Sequence, residues 1–261
     1  MKWGIAALAL LPCLVFAQAD KLDEKQALSL SQAAVGRTLT DVPLVDQYGK
    51  NFSLLDMTGK PLVISLIYTS CYHTCPTMTK QLQRVVDIAQ EALGDNSFRV
   101  LTVGFDSRND TPQQMNLFAK QRGIDYPGWV FASAGPDAIK DLTRQLGFTY
   151  MPSPRGFDHL TQTTIVNEKG VIHQQVYGEM IHAPALVEPL KQLVWDIEAT
   201  PATFNGWLNS VKLFCTVYDP NSGRYRFDYS LFVGIVIGIL CLGSAAVFVF
   251  RSWRQGPHRP A

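Results

Sequence analysis

A chain of 261 residues is long enough for one or two domains with additional segments. Its 23 basic and 22 acidic side chains leave a formal net charge of +1, which argues against a nucleic-acid-binding surface. Much of the apolar content lies at the two ends, so the body has to be read separately from them.

Residues 1–19 read as a secretory signal: Lys2 is the charged start, residues 3–16 are apolar, and Ala17-Gln18-Ala19 is an A-x-A cleavage site. The apolar run is shorter than the roughly 20 residues of a membrane span. Cys13 falls inside it, and Pro12 before it is unsuited to a lipoprotein site, so Cys13 leaves with the signal. Residues 20–35 form a polar leader, helical or loose. Residues 36–199 carry the folded domain. Residues 42–54 predict a β-hairpin with Gly49 in its turn. Residues 62–68 are a near-continuous apolar run, the pattern of a buried central strand.

That strand leads into Cys71-Tyr72-His73-Thr74-Cys75-Pro76. Met78, Leu82, Val85, Val86, Ala89 and Leu93 then keep helical spacing, and Gly94 ends the helix. Pro76 suits the first helical turn and disfavours the α conformation at Cys75, which places Cys75 at the cap and Cys71 in the loop before it. Thiols at this position can be exposed, and the helix N-terminus is expected to lower their pKa values. Such a pair can exchange disulfides or bind a soft metal; the motif alone leaves both open.

A strand over 98–105 follows, then a helix capped by Asp110 or Thr111, with Pro112 in its first turn and Met115, Phe118 and Ala119 on its buried face. A short strand over 129–131 and a helix over 136–146, closed by Gly147, come next. Residues 163–167 and 171–177 predict a hairpin, and 184–197 a final amphipathic helix with Leu186, Leu190, Leu193, Val194 and Ile197 inward. Alternating strands and helices imply an α/β fold with a mostly parallel sheet and an antiparallel edge, whose ligands bind at the carboxyl ends of the strands. Cys71 and Cys75 lie at one such end.

Residues 200–228 read as a juxtamembrane linker and 229–250, which contain no charged residue, as a transmembrane helix. Arg251, Arg254 and Arg259 follow it, whereas Arg224 and Arg226 before it are mixed with Asp219 and Asp228. This bias puts residues 251–261 in the cytoplasm as a tail and the domain in a bacterial periplasm, where thiols oxidise unless a reductant or metal holds them. Cys215 lies in the linker and reads as inert; Cys241 lies in the span. Only Cys71 and Cys75 belong to the domain, too few for a disulfide scaffold.

A soft-metal site wants a third ligand. His73 neighbours the thiols but reads as outward-facing, and His173 and His182 read as surface or capping residues. His159, in Gly156-Phe157-Asp158-His159 just before a strand, is placed where a thioredoxin-like layout packs that segment beside the thiol loop. Asp158 is a candidate to orient its imidazole.

Four features together resemble the SCO/SenC family, thioredoxin-fold copper proteins that assist cytochrome c oxidase assembly. They are Cys71-x3-Cys75-Pro76 after a β run, Phe105-Asp106-x3-Asp110-Thr111 after the next strand, Asp158-His159, and Gly170 closing a turn. The resemblance spans residues 42–197. It implies a thioredoxin-like three-layer α/β/α domain with an N-terminal β-hairpin, and copper, as Cu(I) or Cu(II), on Cys71, Cys75 and His159. The implied partner is the copper-site subunit of the oxidase or another periplasmic copper protein, and the implied role is a copper chaperone in the inner membrane. Helix capping is a sufficient account of Asp106 and Asp110. Two features depart from the family pattern: a C-terminal anchor in place of an N-terminal one, and a polar Leu160-Thr-Gln-Thr-Thr164 where an apolar strand is usual. The alternative is a thiol-disulfide oxidoreductase using Cys71 and Cys75 as a redox pair, which does not need His159. A peroxidase ranks last, because the pair provides no single peroxidatic thiol.

Overall fold

The computed structural model describes residues 22–71, 74–198, 215–220 and 222–254. The signal at 1–19, His73, residues 200–214 of the linker and the end of the tail lie outside these.

The elements in chain order are helix α1 (Glu24–Gln32), β1 (Pro43–Asp46), β2 (Asn51–Ser53), a 3-10 turn (Leu54–Met57), β3 (Leu62–Ile67), α2 (Thr74–Leu93), β4 (Arg99–Gly104) and α3 (Pro112–Gln121). They continue with β5 (Trp129–Ser133), α4 (Pro136–Leu146), β6 (Tyr150–Ser153), β7 (Gly156–His159), β8 (Gln162–Val166), β9 (Ile172–Tyr177) and α5 (Ala183–Glu198). A hairpin of β10 (Thr216–Asp219) and β11 (Arg224–Phe227) precedes α6 (Ser230–Arg254).

Seven strands form one sheet in the order β2-β1-β5-β4-β3-β8-β9. Two of its pairings are parallel, β3 with β4 and β4 with β5, and four are antiparallel. The sheet is therefore mixed rather than mostly parallel, because the β1–β2 hairpin adds to the β5 edge just as β8–β9 adds to the β3 edge. Every residue of β3 is buried, as its apolar run requires. The crossovers through α2 and α3 advance in one direction across the sheet. Right-handed connection then puts both helices on one face. Helix α5 packs beside α2.

The polar segment at 160–164 has a structural account. Strand β8 is buried throughout, and its Gln162 and Thr164 side chains join a hydrogen-bonded network. Ser31 on α1 donates to Gln162 at 2.7 Å, and the Tyr177 hydroxyl lies 2.9 Å from Ser31. Thr164 donates to Gln175 at 2.7 Å, and the Gln162 and Gln175 amides both donate to the Leu146 carbonyl at the end of α4. Hydrogen bonds among these buried polar groups offset their desolvation and fix a specific arrangement. Here they tie the leader helix α1 to β8, β9 and α4. Gly147 permits the approach: it has φ +65°, and a Cβ there would lie 2.4 Å from the Leu30 carbonyl oxygen.

Within the segment expected to be a linker, residues 215–228 form the β10–β11 hairpin packed on α2 and α5. Tyr225 joins the core, its hydroxyl donating to Glu188 at 2.8 Å, and Lys191 donates to the Thr216 carbonyl. Cys215 is buried at the hairpin base, where its carbonyl accepts from Asp228 N–H at 2.7 Å. Asp228 then accepts from Ser230 N–H at 2.8 Å, at the start of α6. Residues 232–251 of α6 are long and apolar enough to cross a membrane.

Candidate metal centre

The site forms where β3 and β4 end and β8 begins, all at one edge of the sheet. After β3 the chain turns through Tyr68, Thr69 and Ser70 to Cys71, whose N–H donates to the Tyr68 carbonyl at 3.2 Å. Asp110 braces this turn. Its Oδ1 accepts from both Thr69 N–H and Thr69 Oγ1–H at 2.7 Å, and its Oδ2 accepts from Asp106 N–H at 2.9 Å. Asp110 is only 1% exposed, and Gly104 makes room for it: a Cβ at 104 would lie 2.4 Å from the Asp110 Cβ. Burial holds its pKa above the ordinary carboxylate value, against the pull of these donors. Helix capping is thus not the role of Asp110. Thr111 caps α3 by accepting from Gln114 N–H, while Asp110 turns inward to amides left over at the strand ends. Asp106 accepts from the Asn109 amide at 2.7 Å and closes its own turn.

Cys71 is half-buried and Cys75 is 1% exposed, inside the first turn of α2. Both are thiols; no disulfide joins them. The Cys75 N–H donates to Cys71 Sγ at 3.3 Å. The expectation of two lowered thiol pKa values fails at Cys75. Burial pushes it far above its ordinary value, with Cys71 and Asp110 adding to the effect. A desolvated sulfur loses more than the helix terminus returns. On the far side of the pair Arg122 lies with its guanidinium 3.2 Å from the Phe118 ring centroid. Burial lowers its pKa while the two thiols favour its charge. Its position at the end of α3 offered no sequence signal for this.

His159 ends β7 of a β6–β7 hairpin, with Tyr150 opposite His159. Ser153-Pro154-Arg155-Gly156 is the turn signal that marks the hairpin. Phe148, Phe105 and Tyr68 wall the imidazole, with ring centroids 5.4, 5.5 and 6.1 Å away. His159 Nδ1 lies 2.9 Å from the Leu160 carbonyl oxygen. A carbonyl only accepts, so Nδ1 carries the hydrogen and the Nε2 lone pair is left for a ligand. The orienting role expected of Asp158 therefore falls to Leu160. Asp158 is exposed, because successive strand residues point to opposite faces. Burial lowers the pKa of His159, against the Leu160 carbonyl and the Asp158 charge, and keeps the ring neutral.

Cys71 and His159 line one cavity of about 560 Å³ with Tyr68, Thr74 and Phe157. Cys75 adjoins Cys71 from the protein side. Among the described residues no three His, Cys, Asp or Glu side chains are gathered closely enough to hold a metal ion. The fold thus brings the three expected ligands to one edge without closing them into a cage. Two thiols and an imidazole with a free Nε2 remain a donor set that suits copper in either oxidation state. His173 and His182 do not line the cavity; His173 is half-buried on β9, and the exposed His182 offers its carbonyl to Ala185 N–H before α5.

The sequence model described as SCO1/SenC matches residues 32–194, well over half of the chain. The SCO1 protein homolog of Bacillus subtilis strain 168 is 30% identical over 138 residues, which cover 51% of this chain and 70% of that one. A crystal structure of an Aquifex aeolicus VF5 protein assigned to electron transfer is 31% identical, with a TM-score of 0.57 over 61% of this chain and 94% of its own. The copper-bound structure of Arabidopsis thaliana ScoI, 18% identical with a TM-score of 0.52, covers 60% of this chain and 99% of its own and supports the fold.

Proposed function

The chain belongs to the SCO1/SenC family, and we propose that it is a membrane-tethered periplasmic chaperone that carries copper on Cys71, Cys75 and His159 to the copper site of a cytochrome c oxidase subunit. The observation that supports this is the shared cavity: Cys71 lines the same space as His159, whose Nε2 is unprotonated and whose ring is held by Leu160 and three aromatic walls. The Sco proteins of Arabidopsis and Bradyrhizobium japonicum are copper-bound in their crystal structures, which is consistent with this reading.

The two sulfurs have unequal parts. Cys71 lines the cavity and its sulfur accepts from the Cys75 N–H, so it receives an incoming ion, or an incoming thiol of a client, first. Cys75 is buried and keeps its proton, which has to leave before its sulfur can ligate. Bound copper would supply the exchangeable cargo, passing between thiolates of carrier and client by ligand exchange.

Helix α6 serves as the anchor. Tyr229 and Trp253 flank its apolar stretch, as interfacial aromatics do, and Arg251 and Arg254 close its C-terminal end. A tether raises the effective concentration near a membrane-bound client. The β10–β11 hairpin joins it to the domain through only Asp228 and Tyr229.

A thiol-disulfide oxidoreductase is the second reading. It is favoured by the closeness of the two cysteines, the Cys75 N–H donating to the Cys71 sulfur, while no third ligand is gathered with them among the described residues. The experiment is an anaerobic copper titration of the detergent-solubilised full chain, with Cys13, Cys215 and Cys241 replaced by alanine. One copper per chain and an intense thiolate-to-Cu(II) absorption are expected, with the band lost in Cys71→Ala and in Cys75→Ala. A protein that binds no copper but reduces a client disulfide would replace the chaperone by the oxidoreductase.

A further inference from the structure

We propose that helix α1 is a wall of the metal cavity that restricts access to His159, and that the buried Ser31 hydroxyl is the positioning group that holds this wall in place. This rests on the proposed function in one respect, that His159 is a copper ligand.

The cavity that Cys71 and His159 share is also lined by Leu22 and Glu24, at the start of α1. The first residues of a domain are poorly ordered unless something ties them down. Here the ties are specific. Asp23 caps the helix, accepting from Lys25 and Gln26 N–H at 3.0 and 3.1 Å. Ala27 and Ser31, one turn apart, are 2% and 0% exposed, so the face of α1 turned to the protein carries small side chains. Beyond the helix, Gly36 N–H donates to the Ile172 carbonyl at 2.8 Å and Ile172 N–H donates to the Arg37 carbonyl at 2.9 Å. These two bonds fasten the chain to the start of β9.

Ser31 is the central tie, and its hydrogen has one destination. The Gln162 Nε2 donates to the Leu146 carbonyl, which can only accept, so the Gln162 Oε1 faces Ser31. Ser31 therefore donates to Gln162, and the Tyr177 hydroxyl donates to Ser31. Both partners adjoin the metal cavity. Tyr177 lines it, and Gln162 follows directly on His159, Leu160 and Thr161, which line it too. One buried hydroxyl thus couples α1 to β8 and β9 beside the proposed ligand. His159 is half-buried and its Nδ1 hydrogen is committed to Leu160, so the cavity is the route to its Nε2 lone pair. With α1 seated, Leu22 and Glu24 close one side of that route.

The test is site-resolved modification by diethyl pyrocarbonate of the metal-free full chain in detergent, with Cys13, Cys215 and Cys241 as alanine. Mass spectrometry reads the rate at His159 against that at the exposed His182 of the same molecule. Ser31→Asp sets an unpaired carboxylate against the Gln162 oxygen in a buried site, which drives α1 off the sheet. The relative rate at His159 is expected to rise roughly threefold or more, as local opening uncovers it. Ser31→Ala only orphans Gln162 and Tyr177 and should act in the same direction by less. Ser133→Asp buries the same charge at a serine that is 5% exposed on β5, on the other side of β4 and β3 from β8 and β9. It should leave His159 at the wild-type rate. Release of Cu(II) to excess EDTA should quicken in Ser31→Asp and stay unchanged in Ser133→Asp. An unchanged His159 rate in a Ser31→Asp protein with wild-type circular dichroism overturns the inference, and so does an equal rise in Ser133→Asp. Should Ser31→Asp fail to fold, Ser31→Ala decides by the same criteria. A wild type that takes no copper while Ser31→Asp still uncovers His159 removes the chaperone reading and leaves α1 standing as the wall.

Discussion

His159→Ala is expected to abolish the thiolate-to-Cu(II) band and weaken Cu(II) binding on the order of a hundredfold or more, while disulfide exchange through Cys71 and Cys75 survives. The imidazole is positioned by Leu160 and by packing rather than by the thiol loop, so its loss leaves the sulfur contacts intact. Equilibrium copper competition and a dithiothreitol exchange assay on the same protein check the two halves. Full copper affinity in His159→Ala would falsify the ligand assignment. The pH dependence follows from burial, which lowers the folded pKa of His159 below 6.5. Unfolded chains take up the proton near pH 6.5, whereas the folded protein resists it. The neutral ring thus contributes stability that is full above pH 6.5 and is lost as pH falls through the lowered folded value. Copper affinity falls as pH is lowered because ligation releases thiol protons, but it should show no added break at about pH 6.5, where a solvent-exposed histidine begins to lose its lone pair to protons. A profile that steepens by one proton at about 6.5 would contradict the burial argument.

Asp110→Ala should be the most damaging single change near the site that touches no proposed ligand. It orphans the Thr69 and Asp106 amides and the Thr69 hydroxyl, all held by one buried carboxylate. Each unsatisfied buried group costs about 1–3 kcal/mol, which gives a loss of about 3 kcal/mol or more. The Thr69 turn sets where Cys71 begins, so copper stoichiometry should fall as well as stability. Asp110→Asn keeps an oxygen for Thr69 but sets an amide hydrogen against Asp106 N–H, and should fall between the two. Urea unfolding provides the measurement. A change under about 0.5 kcal/mol in Asp110→Ala, the range of ordinary surface substitutions, would show that the brace is not structural.

Local chemistry made much of the fold legible. The unbroken apolar run of β3, the helical spacing from Met78 to Leu93, Pro112 and Pro136 at helix starts and Gly147 at a helix end all act within a few residues of themselves. The β6–β7 hairpin is not legible in the sequence because its strands are four residues long, too short for period-2 alternation to stand out. The β10–β11 hairpin was masked by Pro220 and Gly223, which read as linker punctuation but serve a turn.

The chemistry of Cys71 and Cys75 was readable because it needs only two residue types and the strand-to-helix junction that carries them. His159 was readable as a candidate because strand order brings the start of β8 to the end of β3. Electrostatics was not readable: burial, a three-dimensional property, raised the pKa of Cys75 against the local pull of the helix terminus. Hydrogen-bond partners were not readable either. Leu160 in place of Asp158 and Asp110 as a brace in place of a cap each depend on side-chain directions that only packing decides. The sequence by itself thus determined which atoms can do chemistry and at which edge of the sheet they meet. The tertiary structure decided which sulfur is open, which is buried, and what holds each, because desolvation and hydrogen-bond geometry belong to the assembled core.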